Sequence, residues 1–200
     1  MPGGKNRIHQ WEDHLTRKAK SENYPARSVY KLKEIQKKFK IMKKKDCVLD
    51  LGCSPGSWML YAAEVVGKNG HVRGIDLKTL DISLPDNVTA IQDDIFHIKE
   101  KDCENRFQKM NVVLSDMAPA TTGRKDIDAL RSFELCEKAL QVAENFLLKN
   151  GHFVCKIFQG KEFSALQKKV TAKFKSIKIF KPVSCRKHSK EIYIIAKGKK

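Results

Sequence analysis

The stretch "VLDLGCSPGSW", residues 48–58, decides how the chain is read. Val48, Leu49 and Leu51, interrupted only by Asp50, predict a strand; Gly52 and Gly56 follow at once, ahead of a helical pattern over residues 57–67. A strand that turns tightly into a helix brings backbone N–H groups and a helix N-terminus to the carboxyl edge of a sheet, where open α/β folds bind ligands. A dinucleotide fingerprint needs G-x-G-x-x-G, and here Ser54 stands where the second glycine belongs. That disfavours a nicotinamide cofactor, and the bulkier Cys53-Ser54-Pro55 turn suits a smaller adenosine-type ligand. Asp76 ends "HVRGIDL", 24 residues beyond Gly52, in the place of the acid that accepts hydrogen bonds from ribose hydroxyls. In "IQDDIF", Asp94 in preference to Asp93 is the candidate acceptor for an adenine amino group.

Outward from this turn, strands and helices alternate. Strands are predicted at "CVLDLG", "HVRGIDL", "VTAIQDD", "NVVLSD", "GHFVCKIF", "KSIKIFK" and "EIYIIAK"; a short helical or loop segment follows the third, a long helix spans 127–148, and another spans 161–173. Such alternation implies an α/β sheet with helices on both faces. No helix separates the last two strands, so the final one is expected to enter antiparallel. Upstream, Val29, Leu32, Ile35, Phe39 and Met42 share one side of a predicted helix over 27–42, with Lys31 beside that apolar stripe. Residues 1–25 read as a basic, mobile start, and 26–200 as a single domain.

Two hundred residues with 41% apolar composition suffice for one full-sized core. No apolar run approaches a membrane span and no signal peptide is visible, so a soluble, cytoplasmic protein is expected. The six cysteines lack the spacing of a zinc site or a redox dithiol, and no metal is expected. A formal charge of +17 favours a polyanionic partner, through phosphate contacts and counterion release. The basic residues crowd both ends, which makes Arg17, Lys18, Lys20, Arg27 and Lys33, with Lys181, Arg186, Lys187 and Lys190, the candidate contacts to nucleic-acid phosphates.

Four ionisable residues complete the reading. Asp116 closes the apolar run "NVVLSDMAP" at the carboxyl edge of its strand. "DMAP" differs from the double-proline signature of enzymes that methylate exocyclic amines, so base N-methylation is disfavoured. Lys156 interrupts the next strand, "GHFVCKIFQG", near the same edge, about 4.8 Å away if the strands are neighbours. Lys31 and Glu191 supply a second cation and a second anion, so the group nearly neutralises itself, which makes its burial tolerable.

The segments "RSVYKLKEI", "VLDLGCSPGSW", "GHVRGIDL", "VLSDMAP", "GHFVCKIFQG" and "SKEIYIIAKG" occur in the order seen in FtsJ-type (RrmJ/RlmE) ribosomal RNA 2′-O-methyltransferases, which the chain resembles from about Arg27 to Gly198. The resemblance implies a Rossmann-like fold with a seven-stranded, mostly parallel sheet and an antiparallel last strand. It implies S-adenosyl-L-methionine as methyl donor, S-adenosylhomocysteine as product, and ribosomal RNA or the large ribosomal subunit as partner of a monomeric enzyme, with a uridine ribose as target. Carried over residue by residue, its catalytic set falls on Lys31, Asp116, Lys156 and Glu191, and its cofactor residues on Gly56, Trp58, Asp76, Asp94 and Asp116, with Gly52 in the same turn. The "S-x-S-R" approach to the final strand is replaced here by "SCRKHSKEIY".

Transfer of a methyl group to a ribose 2′-hydroxyl needs in-line positioning and loss of the hydroxyl proton. Two roles for Lys156 are open: a base whose pKa is lowered by burial beside Lys31, or a protonated group, paired with carboxylates, that orients the hydroxyl and stabilises developing alkoxide. Two other functions compete with ribosomal RNA methylation: ribose methylation in the transfer-RNA anticodon loop, and non-catalytic RNA binding or ribosome assembly on the same fold.

Overall fold

A computed structural model describes residues 6–97 and 109–200, with side chains from residue 14 onward; Cys103 and the end of the segment after "VTAIQDD" lie outside these residues. The glycine turn forms where the sequence places it. β1 (Cys47–Leu51) leads through Gly52 into α3 (Ser57–Val66), and β2 (His71–Asp76) and β3 (Val88–Gln92) follow. The chain then returns to β1's other flank as β4 (Met110–Ser115), followed by α4 (Lys125–Phe146), β5 (Leu147–Phe158), α5 (Phe163–Lys173), β6 (Phe174–Phe180) and β7 (Glu191–Lys199).

These strands form one sheet in the order β3-β2-β1-β4-β5-β7-β6. Strands β1 to β5 pair in parallel, whereas β7 is antiparallel to both β5 and β6 and lies between them. The order reverses between β1 and β4, which opens a crevice beyond their carboxyl ends, where Leu51 pairs with Ser115.

Strand alternation sorts the core into two layers. Phe153, Cys155 and Ile157 of β5 face α4 and α5, with Cys136 and Leu166. Val154 of the same strand faces the other way, onto Leu32 and Ile35 of α2 (Val29–Phe39) and Met59 of α3. Lys156 shares the parity of Val154, so it is directed towards α2. The helix that carries Lys31 ends earlier than its apolar pattern suggested: Lys40 takes a left-handed φ of 50°, its N–H donates to Gln36, and the Gln36 side chain clasps Met42 through two hydrogen bonds.

Part of the segment expected to be a mobile start, residues 1–25, is described, and it is helical. Asn6–Ser21 form helix α1, and its end is anchored where Ala19 and Tyr24 pack with Val29 and Tyr30. Tyr24 donates to Glu64 at 2.6 Å, and Lys33 pairs with Glu22 at 2.7 Å while lying over the rings of Tyr24, Tyr30 and Tyr61.

Candidate active site

The glycine turn is shaped by two left-handed residues. Gly52 has φ 75° and Gly56 φ 104°, a region that L side chains rarely occupy. A Cβ on Gly52 would lie 2.4 Å from Met117 Cγ, and one on Gly56 2.4 Å from Ile82 Cδ1. Asp76 accepts the Ser54 N–H on Oδ2 and the Lys78 N–H on Oδ1, both at 2.9 Å, so the carboxylate that pins the turn still has a free lone pair on each oxygen.

Beyond the turn opens a cavity of about 560 Å³, lined by Gly52, Ser54, Asp76, Asp94, Asp116 and Met117 among others. Leu77 and Phe96 present apolar faces to it, and both are exposed. Its titratable lining is Asp76, Asp93, Asp94 and Asp116 against Lys78, an acidic spot in a protein of charge +17. Asp50, at the centre of β1, is fully buried, and neither carboxyl oxygen has a hydrogen-bond partner among the described residues. Burial, followed by the nearby carboxylates of Asp116 and Asp76, pushes the Asp50 carboxyl well above its ordinary range. An anionic, partly apolar cavity of this size fits a cationic nucleoside such as a sulfonium cofactor better than a pyrophosphate.

Asp116 belongs both to this cavity and to the charged group beside it. Lys156 Nζ lies 2.9 Å from Asp116 Oδ1 and also donates to the Asp116 backbone carbonyl. The Tyr193 hydroxyl donates to the same Oδ1 at 2.6 Å, whereas Oδ2 has no partner among the described residues. Lys31, on α2, meets Glu191 Oε2 at 3.0 Å, with its ammonium 6.0 Å from the centre of the Tyr193 ring. Burial alone would raise the Asp116 carboxyl, but Lys156, Lys31 and the Tyr193 hydroxyl together hold it below the ordinary carboxylate range. Burial likewise opposes the charge on Lys31, yet Asp116 and Glu191 outweigh it and raise that ammonium above the usual lysine value. Tyr193 is pushed far up by burial and then by the same two carboxylates, and so stays a hydrogen-bond donor.

The four predicted catalytic residues thus converge from α2, the end of β4, β5 and the start of β7. Tyr193 is the member that the sequence reading missed. The signal was present: Tyr193 follows Glu191 by two residues in a strand, hence on the same face, and β7 pairs it directly with Lys156.

A family model described as FtsJ-like methyltransferase matches residues 24–199, a span that includes every member of this site. The chain belongs to the FtsJ-like methyltransferase family. Among curated relatives, "Ribosomal RNA large subunit methyltransferase E" of Desulforapulum autotrophicum is 59% identical over 98% of this chain and 97% of its own length. The protein of that name from Desulfosudis oleivorans is 53% identical over 94% and 91%. A crystal structure from Plasmodium falciparum, described as a candidate ribosomal RNA methyltransferase, superposes with a TM-score of 0.75 at 30% identity, covering 88% of this chain and 98% of that one. The fibrillarin/Nop5p complex, with a TM-score of 0.59 at 18% identity over 78% of this chain and 74% of that one, shares the fold.

Within this FtsJ-like frame, Gly52, Asp76, Asp94 and Asp116 line the cavity. Trp58 and Gly56 do not. The Trp58 indole is buried against Tyr193, and its N–H donates to Ser28 at 2.9 Å, so it fastens α3 to the start of α2. Asp94 Oδ1 accepts the Phe96 N–H, and Asp93 accepts the Asp94 N–H.

Of the basic residues, Arg17, Lys18, Lys20, Lys181, Arg186, Lys187 and Lys190 are exposed. Lys33 is engaged by Glu22 and three tyrosines, and Arg27 donates to the Ser184 carbonyl at 2.9 Å. Glu34 receives the N–H groups of Val183 and Ser184, so the basic loop before β7 is docked on α2, next to Lys31. The two basic segments therefore meet on one side of the site.

Proposed function

We propose that the chain transfers the methyl group of S-adenosyl-L-methionine to a ribose 2′-hydroxyl of large-subunit ribosomal RNA. One observation carries this reading: Asp116 joins a cavity suited to a cationic adenosine ligand to a buried Lys-Asp-Lys-Glu group at the same sheet edge. The names of the relatives, and the surface that both basic segments build beside Lys31, support RNA as acceptor.

Once bound, the cofactor would supply an electrophilic methyl group on a sulfonium. Asp76 would hold its ribose hydroxyls, Leu77 and Phe96 would flank its base, and the acidic lining would favour its positive charge over the neutral product. Lys156 already donates to both the carboxylate and the carbonyl of Asp116, which leaves one N–H for the 2′-oxygen. This geometry favours the second of its two roles, orienting the hydroxyl and stabilising negative charge on oxygen. As the C–O bond forms, the attacking oxygen becomes strongly acidic, so even a carboxylate of lowered basicity can take the proton. Asp116 Oδ2 is the oxygen available for it.

The test is labelled methyl transfer to ribosomal RNA and to isolated large subunits, followed by mapping of 2′-O-methyl nucleotides. The wild-type protein should block a ribose hydroxyl, and Lys156→Ala should lose transfer while still binding S-adenosyl-L-methionine in calorimetry. A methyl group found on a base, or full transfer by Lys156→Ala, overturns the reading.

A further inference from the structure

A second recess opens at the carboxyl edge of the sheet, on the other side of β5 from Lys31. It measures about 370 Å³ and lies between the start of α4, the turn after β5 and Lys190. Gln159 N–H donates to the Lys190 carbonyl at 3.1 Å, and Phe158, just before it, pairs with Glu191. The recess therefore begins one residue from Glu191 on β7 and three residues from Lys156 on β5, yet it shares no lining residue with the cofactor cavity.

Its chemistry is that of a nucleotide site. Lys125, Lys161 and Lys190 all line it, all are exposed, and none forms an ion pair with a described residue. Of the two acids present, Asp126 is turned to Arg124 at 3.5 Å. Leu130, 45% exposed, offers an uncovered apolar face, and Gln159 offers an amide that can donate and accept. The volume falls within the range of small-ligand sites, and a basic rim beside an apolar wall suits a phosphate joined to a base.

The recess is also built in advance. Asp128 accepts the N–H groups of Thr122 and Gly123 and the Thr122 hydroxyl, which fixes the loop that enters α4. On the opposite wall, a Cβ on Gly160 would lie 2.6 Å from the Ala129 Cβ, so only a glycine lets the turn after β5 close on the helix.

We propose that this recess receives a nucleotide flanking the methylated one in single-stranded RNA, its phosphate on Lys125, Lys161 and Lys190 and its base against Leu130. The inference rests on the RNA reading given above and deepens it: the flanking nucleotide is held on the α4 side of the sheet edge while the target ribose lies on the α2 side.

The experiment uses the full chain with oligoribonucleotides that contain the target, intact or cut back to the target nucleotide from the 5′ or the 3′ side. Lys125→Ala/Lys161→Ala should raise KM for intact RNA by about tenfold and flatten the slope of log affinity against log salt by roughly 0.7, the loss of one neutralised phosphate on a single strand. Transfer at saturating RNA and affinity for S-adenosyl-L-methionine should stay within about twofold. Leu130→Ala should raise KM without changing the salt slope. Both effects should vanish on one of the two shortened substrates, which has lost the nucleotide in question, and a Lys68→Ala/Lys149→Ala control at the opposite edge of the sheet should show neither. Unchanged KM and slope in the lysine variant, or equal losses on every substrate, overturn the flanking-nucleotide site alone. A wild-type protein that methylates no RNA overturns the parent reading as well.

Discussion

Replacing Tyr193 by Phe removes one hydroxyl and leaves the ring against Trp58 and Lys31. The bond lost is a buried one of 2.6 Å to a carboxylate, a type that contributes about 1.5–3 kcal/mol. Tyr193 is fully buried and Asp116 nearly so, so little solvent screening reduces that figure. If the bond keeps Oδ1 turned to Lys156 and Oδ2 to the substrate, its loss is expressed at the transition state. At about 1.4 kcal/mol per decade, kcat should fall roughly 10- to 100-fold. The pH dependence adds a second readout. Asp116 is held below the ordinary carboxylate range, so its contribution to stability and to catalysis is present above the unfolded value of about 3.9 and is lost as pH falls through its lowered value. Without the hydroxyl the carboxyl moves back up, and the acid limb of kcat should shift to higher pH. Steady-state methyl transfer from about pH 3 to 9, a range that spans the ordinary carboxylate value, measures both effects together with calorimetry for the cofactor. A kcat within twofold of wild type, or a drop with no movement of the acid limb, refutes the assignment of Tyr193 as the group that positions Asp116.

The ion pair of Lys31 and Glu191 should behave as a buried one: Lys31→Met, which strands a carboxylate, should cost about 3 kcal/mol in urea unfolding, and Lys31→Met/Glu191→Leu should recover most of it. A double-mutant cycle with no coupling would remove the pair from the structural account. Asp50 has the opposite sign from Asp116. Its folded pKa is raised, so the native state binds a proton that the unfolded chain has released, and stability declines as pH climbs from about 3.9 towards the folded value. Asp50→Asn should therefore match wild type near pH 4 and gain on it steadily towards pH 8 in denaturant titrations; a gap independent of pH would show that the carboxyl is not held neutral.

Much of the fold was legible because strand and helix leave different periods in the sequence. The antiparallel entry of β7 followed from the missing helix between Phe180 and Glu191, although its insertion between β5 and β6 did not, since strand order depends on long-range packing that no local pattern records. Lys156 stood out as a charge in an apolar strand, and Asp116 as the end of one. Tyr193 did not, because an aromatic residue in a strand is ordinary and its hydroxyl matters only once Asp116 lies opposite. Lys33 looked like its neighbours in charge, but Glu22, Tyr24, Tyr30 and, from another helix, Tyr61 enclose it, a grouping made only when the chain folds. Gly56 and Trp58 sit at the turn as expected, where Gly56 has a left-handed φ close to Ile82 and Trp58 packs on Tyr193 and bonds to Ser28.

The position of β7 also bears on how the protein is made. During synthesis β5 and β6 emerge first, and each keeps an open edge until the later strand slides in between. A slip of one residue in that insertion would turn Tyr193 and Glu191 to the opposite face and set an isoleucine across from Lys156. Asp116 would then lose the Tyr193 hydroxyl and Lys31 its Glu191 carboxylate, a penalty that falls on the misassembled sheet alone. The charged group proposed for the chemistry thereby also acts against a wrong strand register, because it closes only when β7 is correctly seated.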